Sequence, residues 1–440
     1  MPPDLRLDLE STRRGDAASG SPTLTDDASP TPEPEFAPLR PLRPEMPVRP
    51  GLIIILGALN AVGALGIDTY LPAFNAIADS YRVSEGRVQL SLASYFVAAA
   101  LGQTVYGPVS DRYGRRLPLL IGLALFVVAS VGSALSPNVE TLIAMRFFMG
   151  FGACSAWVVT RAVVRDLSHG ESAARLFALM MLVLGVSPVL APLLGSLIVA
   201  HAPWPLLFWS LALFAAVLFV AVARVLPETH APAARSTGGI APILSTYARL
   251  MRDRSFTIPT LVGALSQSVL FAYLAASPFV YMKRHGVSPE AYSGLFALNA
   301  VGLIGLAQVA APLLKRFGAN RIIRLATGAQ ALATLILLAL VLTGKDALLP
   351  TVACLFVAVG MQGLVGPTST MLALEPHPEA AGAASALSGT IGFAFGAILG
   401  GLIGALADGT TRPFGILLAL CGVAALLTSF ALPKSGSVAD

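Results

Sequence analysis

The sequence predicts an all-α polytopic membrane protein, with twelve transmembrane helices arranged as two bundles of six. Three observations carry this reading. Of 440 residues only 12% are charged and 55% are apolar, about half the charge density of an ordinary soluble domain, so lipid must be the solvent for most of the surface. Apolar runs recur along the chain, each near the ~20 residues that cross ~30 Å of hydrocarbon. The longest interior polar stretch, 227–256, divides those runs six and six, the layout of paired transporter bundles.

The spans are expected at 51–74, 88–109, 117–136, 140–163, 174–199, 205–226, 257–281, 291–314, 321–343, 348–372, 380–406 and 413–432. Residues 1–50 hold six Arg, nine Asp or Glu and 11 of the 32 prolines. That segment lacks the apolar content to build a core and is expected to be a disordered cytoplasmic tail. No charged, apolar and small-residue succession marks a signal peptide. The expected organisation is therefore a tail (1–50), a first bundle (51–226), a cytoplasmic linker (227–256), a second bundle (257–432) and a short tail (433–440).

Orientation follows from Lys and Arg in the loops. With the N-terminus inside, loops and helix ends after residue 50 place sixteen basic residues on the cytoplasmic side, from Arg112 to Lys434, and six on the other: Arg82, Arg87, Lys283, Arg284, Lys345 and Arg412. The imbalance predicts both termini in the cytoplasm and a multi-pass location in a bacterial-type inner membrane. The basic residues form no continuous stripe, so nucleic acid is not an expected partner. Cys154, Cys354 and Cys421 each lie in an apolar run, giving neither a disulfide framework nor metal-ligand spacing. The five histidines fall between the runs. No metal or catalytic set is expected in the spans, and an enzyme is not the expected class.

Two charges stand out inside the spans: Asp68 in the first and Arg146 in the fourth. An ionisable group at such depth is a functional candidate unless it is paired or hydrated. Both fall about six residues, or ~9 Å of helix rise, from the outer face, so an ion pair is geometrically open to them. Its bland counterparts are a packing salt bridge or a snorkelling side chain. If functional, the chemistry is proton exchange: burial raises the pKa of an Asp, a neighbouring Arg lowers it, and access from one side or the other tips the balance. On the fourth span Arg146, Gly150, Ala153, Trp157 and Arg161 share one helical face, which is expected to line an interior path. Arg161 has the alternative, favoured for it, of an anchor at the interface.

Between the second and third spans the chain reads Gly107-Pro-Val-Ser-Asp111-Arg112-Tyr-Gly114-Arg115-Arg116. A generic loop needs no such density of glycine and charge, although topology alone asks for basic residues there. This segment resembles the signature loop of the major facilitator superfamily, Gly-x-x-x-Asp-Arg-x-Gly-Arg-Arg/Lys, at the matching place in a twelve-span chain. "DTYLPAF" (68–74), "RFFMGFGA" (146–153), "RAVVRD" (161–166) and "GESAARLFALMMLVLGVSPVLAPLLGSLI" (170–198) together resemble the bicyclomycin-resistance (Bcr/CflA) branch of drug:proton antiporters. The resemblance is strong over 51 to about 230 and weak in the second half.

The resemblance implies roles. Asp68 would be the protonatable acid and Arg146 its partner. Asp111, Arg112 and Arg115, with Arg165 and Asp166, would form a cytoplasmic charge latch between the halves. Ser187, Ala191, Pro192, Gly195 and Ser196 would stand on the fifth-helix antiporter motif, where small residues let helices pack closely and Pro192 frees a carbonyl. Three departures matter. Met149 replaces the usual Gln, which is expected to remove a polar contact. Ser187, Ala191 and Ser196 replace glycines. The second-half echo of the loop, "LLKRFGANRIIR" at 313–324, lacks the acid.

For a substrate cavity the candidates are Trp157, Arg161, Gln267, Tyr273 and Gln362, with Asn299, Gln308, Phe393 and Phe395 beside them. For any single one, ordinary helix-packing polarity or a lipid-facing aromatic is the favoured explanation. An apolar cavity with scattered polar groups suits lipophilic solutes. The leading expectation is a monomeric exporter of lipophilic drugs that exchanges them for protons, driven by the proton gradient with no cofactor. A carrier of a native metabolite or sugar is the alternative within transport, and a membrane sensor or scaffold is the alternative outside it.

Overall fold

The computed structural model describes residues 50–433 apart from 168–169, 233–234 and 236–239; at 50, 170–179, 181–182, 184 and 240–241 it describes the backbone alone. Expectations about the 1–50 tail, the closing tail, Arg175 and Lys434 lie outside the described residues or side chains.

The chain is helical throughout. In the first half α1 covers Gly51–Tyr81, α2 Glu85–Tyr113, α3 Arg116–Ala134, α4 Val139–Leu167, α5 Gly170–His201 and α6 Pro205–Val225. A helix within the linker, α7, covers Ile240–Arg252. The second half follows with α8 (Arg254–Arg284), α9 (Pro289–Phe317), α10 (Ala319–Leu342), α11 (Leu348–Leu374), α12 (Pro378–Ala405) and α13 (Arg412–Ser429). Among the described residues eleven helices are long and apolar enough to cross a membrane; α5, with 32 residues, is a further long helix whose side chains are described only in part.

Several helices outrun the expected spans. The first does not stop near residue 74: a 3-10 turn at Leu71–Ala73 bends it, and it continues to Tyr81. Pro72 lacks the N–H that a straight α-helix would use there, and a tighter turn absorbs the loss. Asp68 therefore lies thirteen residues before the end of α1 rather than six, much deeper than the sequence reading placed it. The α8 helix ends in a π-turn at Phe279–Arg284 directly after Pro278. The linker contains α7, which packs Ile243, Tyr247 and Leu250 against Phe256, Ala373 and Ala384 while Arg249 and Arg252 stay exposed.

Within the first half α4 packs on α1, α2 and α3; within the second α8 packs on α11, α12 and α13. The halves meet along α2 against α12 and α5 against α9, with the bend of α1 touching α8 and α9. The turn after α2 is made at Gly114 (φ +93°) and the corresponding turn after α9 at Gly318 (φ +77°). Both are left-handed positions that glycine tolerates best, so the two halves repeat the same device although only one carries the acidic latch.

Buried glycine sets how closely the helices approach. At Gly150 a Cβ would stand 2.4 Å from the Tyr95 carbonyl oxygen, which holds α4 backbone against α2 backbone. Gly150→Leu is expected to lower stability by about 2 kcal/mol or more. Gly305→Ala, where nothing lies within 4 Å of the added carbon, should be neutral or stabilising by up to about 1 kcal/mol. Thermal unfolding of the two variants in detergent micelles checks the contrast.

Candidate functional site

The site lies where the first bundle faces the second. Arg146 is fully buried in the first turns of α4. Its guanidinium stands over the rings of Tyr70 and Tyr95, 4.5 Å from each centroid. Nη1 donates to the Gly66 carbonyl at 2.8 Å and to the Met149 sulfur at 3.4 Å; Nε and Nη2 have no partner. Cation–π contacts in a desolvated place contribute ~2 kcal/mol each, so two rings offset much of the several kcal/mol that burying a charge costs. Tyr70 hydrogen-bonds Ser91 Oγ at 2.8 Å, and Tyr95 donates to the Gly63 carbonyl at 3.1 Å, which fixes both ring planes.

The expected Asp68–Arg146 ion pair is absent from the described residues. The reason is helical geometry: Arg146 holds the carbonyl of Gly66, and a residue two further along α1 points ~200° away. Asp68 is 6% exposed and makes no hydrogen bond or ion pair among the described residues. It sits within electrostatic reach of the hydroxyls of Tyr95, Tyr273 and Tyr292, so it faces the second bundle while Arg146 stays inside the first. Met149 also corrects an expectation: the thioether does not leave Arg146 without that contact but accepts from it.

The small residues of α5 hold this region tight. A Cβ on Gly195 would lie 2.2 Å from the Thr69 carbonyl oxygen, so α5 touches α1 backbone beside Asp68. Ser196 Oγ donates to Leu193 O, Ala191 is buried, and the Pro192 carbonyl accepts from Ser293 of α9 at 2.8 Å. Ser187 is buried with its hydroxyl unpartnered.

Toward the linker face, four aromatic rings cross the boundary between the halves. Trp157 stacks on Phe393 and Phe393 on Phe271, each at 5.4 Å, and Phe271 meets Phe96 at 4.5 Å. Trp157 Nε1 donates to the Asn60 carbonyl at 3.0 Å. Asn60 precedes Asp68 by eight residues, or ~12 Å of rise, so this layer separates Asp68 from the linker face.

Beyond the layer a cavity of about 470 Å³ opens on that face, lined by Gln103, Gly107, Asp111, Arg161, Arg165 and Tyr247 among others. Arg161 thus borders the cavity between the halves instead of standing at the lipid interface. The proposed fourth-helix face is split: Arg146 and Gly150 are packed against neighbours, and only its lower part reaches the path. On the opposite face the halves are closed. Lys283 of α8 pairs with Glu85 of α2, and a Cβ on Gly86 would meet the Gly404 carbonyl oxygen at 2.4 Å.

The other cavity candidates divide. Gln362 accepts from Ser266 Oγ at 2.6 Å and serves packing. Gln267 lies half-buried beside Gly392. Tyr273 receives a hydrogen bond from Asn299 at 3.3 Å and belongs with Asp68. Gln308 is exposed.

The charge latch centres on Arg115, buried at 6% exposure. Its Nε donates to Asp166 at 2.9 Å and its Nη1 to Asp111 at 2.5 Å and Ser110 at 2.9 Å. Glu228, which the motif reading did not single out, accepts from the backbone N–H of Arg115 at 2.8 Å and of Arg116 at 3.2 Å, against Gly114. Arg116 also donates to the Ala223 carbonyl. These bonds join α2, α3, α4 and the start of the linker. They do not bridge the halves, as the resemblance implied: Arg112 lies over Tyr113, and among the described residues no ion pair runs from the latch to the second bundle. The cavity occupies that gap.

Missed by the sequence reading were Tyr70, Tyr95, Gln103 and Glu228. Tyr70 stood inside "DTYLPAF", and Glu228 is the first acid after the sixth span, so each had a positional signal. Nothing in spacing marked Tyr95.

An all-helical membrane protein in two halves, open to one face between them and sealed at the other, is a transporter and not an enzyme. The chain belongs to the Major Facilitator Superfamily, whose model matches residues 56–392. It is 35% identical to the uncharacterized MFS-type transporter YdgK of Bacillus subtilis over 87% of this chain and 95% of that protein. It is 28% identical to the bicyclomycin resistance protein homolog of Haemophilus influenzae over 86% and 95%. The crystal structure of a D-xylose-proton symporter shares the fold, with a TM-score of 0.66 at 18% identity over 87% of this chain and 98% of that one.

Two outcomes follow. Arg146→Lys keeps the charge but loses the planar stacking face and is expected to cost about 2–3 kcal/mol; Arg146→Met, which leaves no buried charge, should cost less. Thermal unfolding in micelles orders them. For Glu228, burial acts to raise the carboxyl pKa, but the N–H groups of His230, Arg115 and Arg116 and the Arg235 charge outweigh it, so it titrates below its ordinary value. Its contribution is thus complete at neutral pH and lost as pH falls through the lowered folded value. Glu228→Gln should remove about 1 kcal/mol at pH 7 and flatten the fall in melting temperature on acidification below about pH 5.

Proposed function

We propose that this protein exports small lipophilic drugs across the bacterial inner membrane in exchange for protons, by alternating access, as a Bcr/CflA-type antiporter. The observation that carries the reading is Asp68: a carboxyl buried at the boundary of the two bundles with no ion-pair partner among the described residues. A carboxyl so placed is neutral when dry and ionises when water or a cation reaches it. The proton is then the coupling ion, and no cofactor is needed. Each proton moving inward through 100 mV supplies about 2.3 kcal/mol.

The linker face is the cytoplasmic one in this reading, since it carries the basic loops. The conformation is then inward-open. Substrate enters the cavity beside Gln103 and Arg161 and passes the Trp157–Phe393–Phe271–Phe96 layer when the halves rock. The aromatic layer gives flat apolar faces for drug rings. Closing the inner side needs the latch to meet α12, next to which Arg165 stands at Gly382. Opening the outer side needs Lys283 to release Glu85. The protein acts as a monomer, because each chain holds both halves of the path. The relative named for bicyclomycin resistance supports the drug reading. The polar lining contributed by Gln103, Asp111 and Arg161 supports a second reading, a carrier of a polar native metabolite or sugar.

Growth of cells with and without the protein, across a drug panel, distinguishes these: drug export requires a raised inhibitory concentration for several unrelated lipophilic compounds. In proteoliposomes Asp68→Asn is expected to abolish efflux driven by a proton gradient, by about a hundredfold or more, while substrate exchange without a gradient survives. Gradient-driven efflux at the wild-type rate in that variant would overturn the coupling role.

A further inference from the structure

A second cavity has no part in the path between the halves. It is about 620 Å³, lies on the outer surface of the first bundle between α1, α5 and α6, and opens toward lipid. Ala58 and Ala61 hollow one wall, and the apolar side chains of Leu65, Val186, Leu190 and Phe214 form the others. At its rim Val186 and Leu190 are 43% and 50% exposed.

Three hydroxyl residues line this cavity: Thr69, Ser187 and Ser210. Ser210 spends its hydroxyl on the Leu207 carbonyl at 2.7 Å, the usual refuge of a helical serine in an apolar place. Thr69 and Ser187 do not. They are 3% and 5% exposed, and neither Thr69 Oγ1 nor Ser187 Oγ has a hydrogen-bond partner. Buried polar atoms are nearly always paired, so two unpaired hydroxyls in one apolar hollow, from two different helices, indicate a missing partner. A lipid acyl chain has no atom that could supply one.

We propose that this hollow is a binding site for a small neutral amphiphile, a molecule with an apolar body and one hydroxyl or carbonyl group, reaching it from the bilayer. The body fills the space under Leu190 and Phe214; Thr69 Oγ1 and Ser187 Oγ, which are covered in the empty hollow, turn into it to bond the polar group. The volume falls within the range of pockets for drug-sized ligands. Its height along α1 and α5 places the site in the leaflet away from the linker face. Thr69 adjoins Asp68 in sequence, and Gly195 closes on its carbonyl, so occupancy bears on the α1–α5 contact from the side opposite to the path.

The test uses the full-length protein in vesicles and two photoactivatable probes: a medium-chain alkanol carrying a diazirine, and a phospholipid carrying the same diazirine in its acyl chain. The alkanol is expected to label residues of the hollow saturably, to be displaced by excess unlabelled alkanol, and to lose affinity by about threefold to tenfold in the double variant Thr69→Val, Ser187→Ala. Ala61→Phe, which fills the space, should abolish that labelling while circular dichroism shows an intact helical fold. Non-saturable labelling, equal labelling by the phospholipid that the alkanol does not displace, or unchanged affinity in the double variant would each overturn the proposal. None of these readouts depends on proton coupling or on the substrate of transport.

Discussion

The first bundle is organised around a buried cation held by aromatic faces and not by an acid. Arg146 is enclosed between Tyr70 and Tyr95, and its strongest hydrogen bond goes to a backbone carbonyl of α1. This arrangement locks α1, α2 and α4 at one level, because the ring positions depend on Ser91 and Gly63 and the carbonyl on the course of α1. It also leaves the nearby carboxylate free. Had Arg146 paired with Asp68, that acid would be fixed in its charged state and turned into the bundle. Held between tyrosine rings, the arginine keeps its place without consuming the acid, and Asp68 faces the boundary with the second bundle.

That separation of roles recurs at the linker face. Arg115 gathers Asp111, Asp166 and Ser110, and Glu228 secures the loop from below through backbone N–H groups. The result is a rigid corner on one half. Among the described residues α12 and the linker helix α7, whose Ile243 and Tyr247 line the cavity, stand across from it. Rigid bundles that meet across polar and aromatic contacts can rock as bodies, which is the mechanical need of alternating access. The seal at the opposite face includes the Lys283–Glu85 ion pair and the close approach of Gly86 to Gly404, features that separate without unfolding either bundle.

Much of this was legible in the chain. The two-by-six plan followed from hydropathy and the 227–256 stretch, since a bilayer fixes helix length and forbids charge in the spans. The burial of Asp68 and Arg146 was readable from their place inside apolar runs. The Gly114–Arg116 turn was readable because left-handed glycine and clustered charge are local requirements. Glu228 was visible as an acid but not as a latch member, because its latch partners, Arg115 and Arg116, lie more than a hundred residues away.

What the sequence determined by itself, then, is which groups must be buried and where helices must turn, because those depend on local covalent geometry and on transfer from water to lipid. What only the tertiary structure decided is direction. Whether Asp68 faces Arg146 or the second bundle depends on how α1 is rotated, which the packing of Gly195, Tyr95 and Gly66 sets together. Whether Arg161 meets lipid or a cavity depends on how far α7 and α12 stand from α4. Such choices rest on contacts between distant segments, and no spacing within one helix encodes them.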